Sequence, residues 1–154
     1  MTNPLSTIYQ ATLDHIREVI GYDFASLAFA QSAKDEFVIT WQYVSGNLND
    51  RYKRIQLHSG KGIAGMVFKT GKPMLVLDAE EEIAQSERFQ YPIILSEQLC
   101  SLAAIPLFEL DRVTGVLLVG YRENKIKKSE FVKLQQLLGG KFGDFEVNQF
   151  TSIE

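Results

Sequence analysis

The residues of this chain that could do chemistry carry almost no functional groups. In Ser59-Gly60-Lys61-Gly62-Ile63-Ala64-Gly65-Met66-Val67 two glycines bend the backbone just where an apolar helical turn begins. The first N–H groups of that turn lack intrahelical partners. With the positive end of the helix dipole, they form a site for a small anion. Gln90-Tyr91-Pro92-Ile93-Ile94-Leu95 repeats the device with proline near a helix start. Pro92 has no N–H, so donors there must come from Ile93, with Ile94 next in line. Ala64 lets an anion approach the backbone closely. Trp41 can cover a flat ligand, and its indole N–H or ring edge is a better contact for an anion than its electron-rich face. Two such helix starts aimed at one apolar cavity suit a ligand that needs donors and little else.

Each piece also has an ordinary reading. Glycine-flanked turns before helices are common, a strand tryptophan is often core, and Tyr-Pro can be only a helix entry. Lys61 reads as a solvated loop side chain that could add long-range attraction for anions. His58 is a weak candidate for a pH-dependent gate. Glu80-Glu81-Glu82 reads as a solvated face.

The elements that must position these residues follow from periodicity. Leu5, Ile8, Tyr9, Leu13, Ile16 and Ile20 fall at helical spacing, with Gly21 as a stop. Phe24 to Ala30 reads as a strand. After the polar turn Gln31–Glu36 comes a strand from Phe37 to Val44, with Phe37, Ile39, Trp41 and Tyr43 on one face at period two. Ser45 to Asp50 reads as a loop and Lys53 to Leu57 as a short strand. The spacing predicts a helix over 63–69 ended by Gly71, with Pro73 barring its continuation. A brief strand over 74–77, an acidic helical stretch capped by Asp78 and a short helix over 90–97 follow. Leu99–Phe108 and Gly115–Tyr121 form a hairpin around Leu110–Thr114. Ser129 caps a last helix carrying Phe131, Leu134, Leu138, Phe142 and Phe145, with Gly139-Gly140 in its middle at about 1 kcal/mol per glycine relative to alanine. Strands paired locally favour one α+β domain over residues 1–154 with an antiparallel sheet.

Composition narrows the function. A chain of 154 residues with 45% hydrophobic and 23% charged residues fits one soluble globular domain. The net charge of −3 gives no pull toward nucleic acid or anionic lipid. One cysteine and two separated histidines rule out an internal disulfide or thiolate cluster and argue against structural zinc. The N-terminus lacks signal-peptide character, and no apolar run approaches the ~20 residues of a membrane span. The expected location is cytoplasmic, with no resident cofactor or metal.

The element order, Gly60-Lys61-Gly62-Ile63-Ala64-Gly65, Ala103-Ala104-Ile105-Pro106-Leu107 and Val113-Thr114-Gly115-Val116-Leu117 together resemble the GAF domain family over nearly the whole chain. The resemblance implies a small-molecule sensor module. Its expected fold is a central antiparallel sheet, with the terminal helices on one face and a ligand pocket with short helices on the other. Within the family, Trp41, Ile63-Ala64 and Tyr91-Pro92-Ile93 are similar to the free-standing nitrate receptors of Nre-type nitrate and oxygen sensing systems. That likeness implies nitrate held by the N–H groups of Ile63, Ala64 and Ile93, with Trp41, Tyr91 and Pro92 as walls. It also implies a partner, a cytoplasmic sensor histidine kinase with an iron–sulfur cluster, restrained by the ligand-free receptor. Nitrate is planar, singly charged and weakly basic, so several modest backbone donors suit it, each charged hydrogen bond contributing ~1.5–3 kcal/mol.

Two other classes compete. Free methionine sulfoxide reductases of the same fold need a nucleophilic and a resolving thiol, whereas this chain has only Cys100, and Ala64 stands where that branch often places a reactive cysteine. A sensor for another ligand is the other: a cyclic nucleotide would need purine and phosphate readers, and the residues for them are missing. The broad apolar faces of the two terminal helices could also pair two copies of the chain.

Overall fold

A helix that is apolar every third or fourth residue has one face to bury. In the computed structural model, which describes residues 4–33, 36–138 and 151–152, α1 (Pro4–Ile20) buries Leu13 and Ile16 completely against β1 (Phe24–Ala33) and β2 (Glu36–Ser45). A 3₁₀ turn (Arg51–Arg54) leads to β3 (Gln56–Leu57), then α2 (Gly62–Thr70), β4 (Met74–Val76) and α3 (Ala79–Glu82). A second 3₁₀ turn (Gln85–Gln90) precedes α4 (Pro92–Glu97), the hairpin β5 (Ser101–Glu109) and β6 (Arg112–Tyr121), α5 (Ser129–Leu138) and β7 (Thr151–Ser152). The sheet order is β3-β2-β1-β6-β5-β4-β7. Neighbours are antiparallel except the two-residue parallel pairing of β7 with β4, which sequence patterning did not predict.

Side chains alternate across a strand, so one sheet builds two cores. Ala25, Leu27, Ala103, Ile105, Leu117 and Val119 point to the side of α1 and α5, where Phe131 and Leu134 are fully buried. Phe24, Ala28, Leu102, Ala104, Val116 and Leu118 point the other way, under α2, α3 and α4. This is the expected α+β arrangement: terminal helices on one face, short helices on the other.

Several expectations shift. β1 runs three residues further than predicted, since Gln31, Ser32 and Ala33 continue to pair with β2. Tyr43 does not share a face with Ile39 and Trp41. Leu27 pairs with Tyr43 while Ala28 pairs with Trp41, so Gln42 is an extra residue that flips Tyr43 toward Tyr9 and Phe29 on the α1 side. Within Lys53–Leu57 only Gln56 and Leu57 are strand, while Lys53 and Arg54 end a 3₁₀ turn. The β5–β6 turn is two residues, Leu110 and Asp111, at φ of 51° and 66°, rather than the five-residue loop expected. Positive φ at both central residues matches the right-handed twist of the strands they join. The expected helical extension through Gly139, Gly140, Phe142 and Phe145 lies outside the described residues.

Candidate anion-binding site

The glycine segment folds as its composition demands. Gly62 stands first in α2 at φ +68°, and a Cβ there would lie 2.9 Å from the Leu57 side chain. At Gly65 a Cβ would run into the His58 carbonyl oxygen. Those absent side chains let the loop close tightly, with Gly60 N–H donating to the Gly65 carbonyl at 2.7 Å and Lys61 N–H to His58 at 2.9 Å. Lys61 precedes the helix in extended conformation and its side chain makes no cap bond. The opening N–H groups of α2, Ile63 and Ala64 included, lack intrahelical partners and take no part in these turn bonds.

At the second helix start Pro92 occupies the first turn of α4 and Tyr91 is the cap. The Tyr91 carbonyl accepts from Ile94 N–H at 3.0 Å and Leu95 N–H at 3.4 Å. Ile94 is therefore already engaged, and Ile93 is left as the donor there. A helix of six residues cannot stand alone, so tertiary contacts must hold it. They come from its far end. Glu97, fully buried, accepts at Oε1 from Leu48 N–H and Arg122 Nη2, both at 2.8 Å. Arg122 Nε also donates to the Glu97 carbonyl at 2.8 Å, while its other nitrogens reach the carbonyls of Gly46 at 3.0 Å and Asp23 at 3.3 Å. Asn49 Nδ2 donates to the Ser96 carbonyl at 2.8 Å. Burial pushes the Glu97 carboxyl above its usual range, against the pull of Leu48 N–H and Arg122. This clamp joins residues far apart in sequence, and no local pattern announces it.

Trp41, Ile63, Ala64 and Ile93 lie together in the buried cluster beneath the short helices, with Tyr91 packed against it. Tyr91 and Pro92 face outward into a cleft of about 500 Å³, which Leu57, Gly60, Lys61 and Phe89 also line. Phe89 is 72% exposed on the lip. The predicted residues thus divide into an inner group and an outer wall. Trp41 Nε1 is buried and has no hydrogen-bond partner among the described residues. An unsatisfied buried N–H costs ~1–3 kcal/mol, and native structures contain few of them.

Elsewhere the chemistry is sparse. Among the described residues no group of His, Cys, Asp or Glu side chains could hold a metal ion, and no helix is long and apolar enough to cross a membrane. Burial, and after it the Asp78 carboxylate, pushes the Cys100 thiol above its ordinary value. It is therefore poorly suited to act as a thiolate.

Comparison with known proteins agrees with the fold. An NreA protein from Staphylococcus aureus, mutated in its nitrate binding site, is 45% identical over 80% of this chain and 91% of its own, with a TM-score of 0.76. A Nif-specific regulatory protein of Azospirillum lipoferum is 33% identical over 75 residues, which is 49% of this chain but only 12% of that regulator's length. Free methionine-R-sulfoxide reductase from Neisseria meningitidis shares the fold at a TM-score of 0.66 but only 18% identity, over 87% of this chain and 73% of its own. The GAF domain pattern itself matches residues 2–141. This chain belongs to the GAF domain family.

Proposed function

We propose that this chain is a nitrate receptor, a single sensor domain over residues 1–154 that binds the anion between the starts of α2 and α4. One observation carries the reading. Buried donors, the Trp41 indole N–H and the opening N–H groups of α2, gather on one sheet face without an acceptor among the described residues, in a chain 45% identical to a protein with a nitrate binding site. A planar anion supplies acceptors in several directions and leaves no new charge unpaired. In this reading the N–H groups of Ile63, Ala64 and Ile93 hold nitrate, Trp41 adds its indole donor, and Tyr91 and Pro92 close the site from the cleft. Lys61, at the mouth, steers anions without touching the bound one.

Calorimetric titration with nitrate, nitrite and chloride tests this. Saturable one-to-one nitrate binding that weakens at least tenfold in Trp41→Phe supports it. A protein that takes up no nitrate at millimolar concentration overturns it.

The partner follows from the same reading. Nitrate orders α2 and α4, changing a cytoplasmic surface that an oxygen-sensing histidine kinase of a two-component system recognises, and so modulates control of nitrate respiration. A ligand shifts a two-state equilibrium only through different affinities for the two states, so kinase and nitrate must weaken each other's binding equally. Unchanged kinase affinity at saturating nitrate would sink this mechanism and leave the pocket standing. A second copy of the chain fits through α1 and α5, where Ile8, Val19 and Val132 are exposed. Light scattering of the purified protein reads that directly.

The chain acts in this reading as a sensor and not as an enzyme. Reductase chemistry in this fold would require two thiols, and the chain offers only Cys100, with a thiol that burial keeps protonated. Absence of methionine sulfoxide reduction in the presence of a dithiol is the expected outcome.

A further inference from the structure

Trp41 is not the only buried donor left without an acceptor under the short helices. Ser26, in the middle of β1, is fully buried, and its Oγ has no hydrogen-bond partner among the described residues. Its orientation follows from the strand. Ala25 and Leu27 belong to the core under α1 and α5, whereas Phe24 and Ala28 belong to the core that holds Trp41, Ile63, Ala64 and Ile93. By alternation Ser26 points with Phe24 and Ala28 into the site's side of the sheet. Its cross-strand partners agree, since Leu118 is part of that core and Val44 packs against it.

The register brings it next to the tryptophan. Ala28 stands opposite Trp41 and Ser26 opposite Val44, which makes Ser26 the diagonal neighbour of Trp41 on the same face. Diagonal positions in an antiparallel pair lie ~7–8 Å apart, within reach of a long aromatic side chain.

We infer that the Ser26 hydroxyl is a ligand-binding donor of the anion site, acting with the Trp41 indole from the sheet side while the α2 N–H groups act from above. The inference rests on the nitrate reading and extends it to a residue outside the helix starts. A hydroxyl in this place rewards an oxyanion, which has several oxygens to share among donors in different directions, over a spherical halide.

The test is nitrate and chloride titration of wild type, Ser26→Ala and Ser26→Cys, each with thermal unfolding of the ligand-free protein. Cysteine keeps the side-chain shape, with a somewhat larger atom at γ, and replaces a strong donor by a weak one. Both variants are expected to bind nitrate about tenfold or more weakly, as befits one lost hydrogen bond to a charged group, while their ligand-free unfolding temperatures stay level or rise. Chloride affinity falls less than nitrate affinity. The degenerate N–O stretch of bound nitrate, split by unequal hydrogen bonds, changes its splitting in difference infrared spectra of the variants. A wild type that binds nitrate, together with a Ser26→Cys protein that binds it within twofold and gives the same infrared spectrum, overturns the Ser26 assignment alone. A wild type without nitrate affinity overturns the nitrate reading and this inference with it.

Discussion

The two faces of the sheet are built from the same strands and follow opposite rules. Under α1 and α5 the long helices bury Leu13, Ile16, Phe131 and Leu134 completely, and several buried polar groups find partners, Tyr22 Oη and Glu130 Oε2 being the exceptions. Thr12 Oγ1 donates to the Ile8 carbonyl at 2.8 Å, Ser45 Oγ to Asp14 Oδ1 at 2.5 Å, and Ile126 N–H to Ser101 Oγ at 2.9 Å. Even Tyr22, whose hydroxyl lacks a formed bond, stands beside the Glu130 carboxylate, which after burial helps push its phenol pKa upward. Under α2 and α4 the helices are nine and six residues long, opened by glycine or proline. Two buried side-chain donors there, Trp41 Nε1 and Ser26 Oγ, face no acceptor among the described residues. In the nitrate reading proposed above, the chain places its stability on one side of the sheet and its recognition on the other.

That division can be broken by mutation, and the largest effect belongs to the closed face. Phe131→Ala should cost about 3–5 kcal/mol of folding stability in a denaturant titration, because it leaves a cavity in a fully buried site. Nitrate affinity of the protein that stays folded should not change. A parallel loss of affinity would mean that the two faces are not independent. Arg122→Leu comes next, at about 3 kcal/mol, because it strands the buried Glu97 carboxylate. Unlike Phe131→Ala, it should also weaken nitrate binding, since it releases the end of α4 opposite Ile93. Trp41→Phe reverses the balance. It removes a buried N–H that nothing accepts, so ligand-free stability should hold within about 1 kcal/mol or improve. Nitrate affinity should drop while stability does not, which is the signature expected of a recognition residue.

The closed face was the more legible of the two in the sequence. Leu5, Ile8, Leu13 and Ile16 announce α1, and Phe131, Leu134 and Leu138 announce α5, because a helix that packs on a sheet must repeat its apolar residues at helical spacing. Local backbone chemistry was legible too. Gly60-Lys61-Gly62 and Tyr91-Pro92 mark the starts of α2 and α4, and Asp78 caps α3 as its type suggests. What failed were features set by partners distant in the chain. Gln42 bulges only because of how β2 meets β1, and the shift moved Tyr43 to the other face. Leu110 and Asp111 make a left-handed turn without the usual glycine or asparagine. Ser26 reads as one small polar residue in an apolar strand, and its missing acceptor is visible only once the neighbours are in place. The Arg122–Glu97 pair spans 25 residues of sequence and joins α4 to the end of β6, so no window of periodicity contains it.

The smallest effect sharpens the contrast from within the recognition face, at a polar group that does have partners. Asp78 caps α3, accepting from Glu80 N–H at 3.1 Å and Glu81 N–H at 3.3 Å, and its Oδ2 lies 3.2 Å from Lys125 Nζ. The hydrogen bond from Lys125 and the two backbone donors hold its carboxyl below the usual range. A carboxylate with a lowered pKa in the folded state contributes stability above its unfolded value of about 3.9, and that contribution disappears as the pH falls through the folded pKa. An asparagine side chain in that place still caps a helix but carries no charge. In Asp78→Asn the unfolding midpoint should therefore lie slightly below wild type at pH 7, and the two curves should converge as the solution is acidified below pH ~4. Nitrate affinity should be the same in both proteins at pH 7, because Asp78 stands outside the donor set. If the asparagine variant instead loses nitrate affinity with its stability, the rim of the recognition face shapes the pocket as strongly as Trp41 does, and buried unpaired donors are not what distinguishes that side of the sheet.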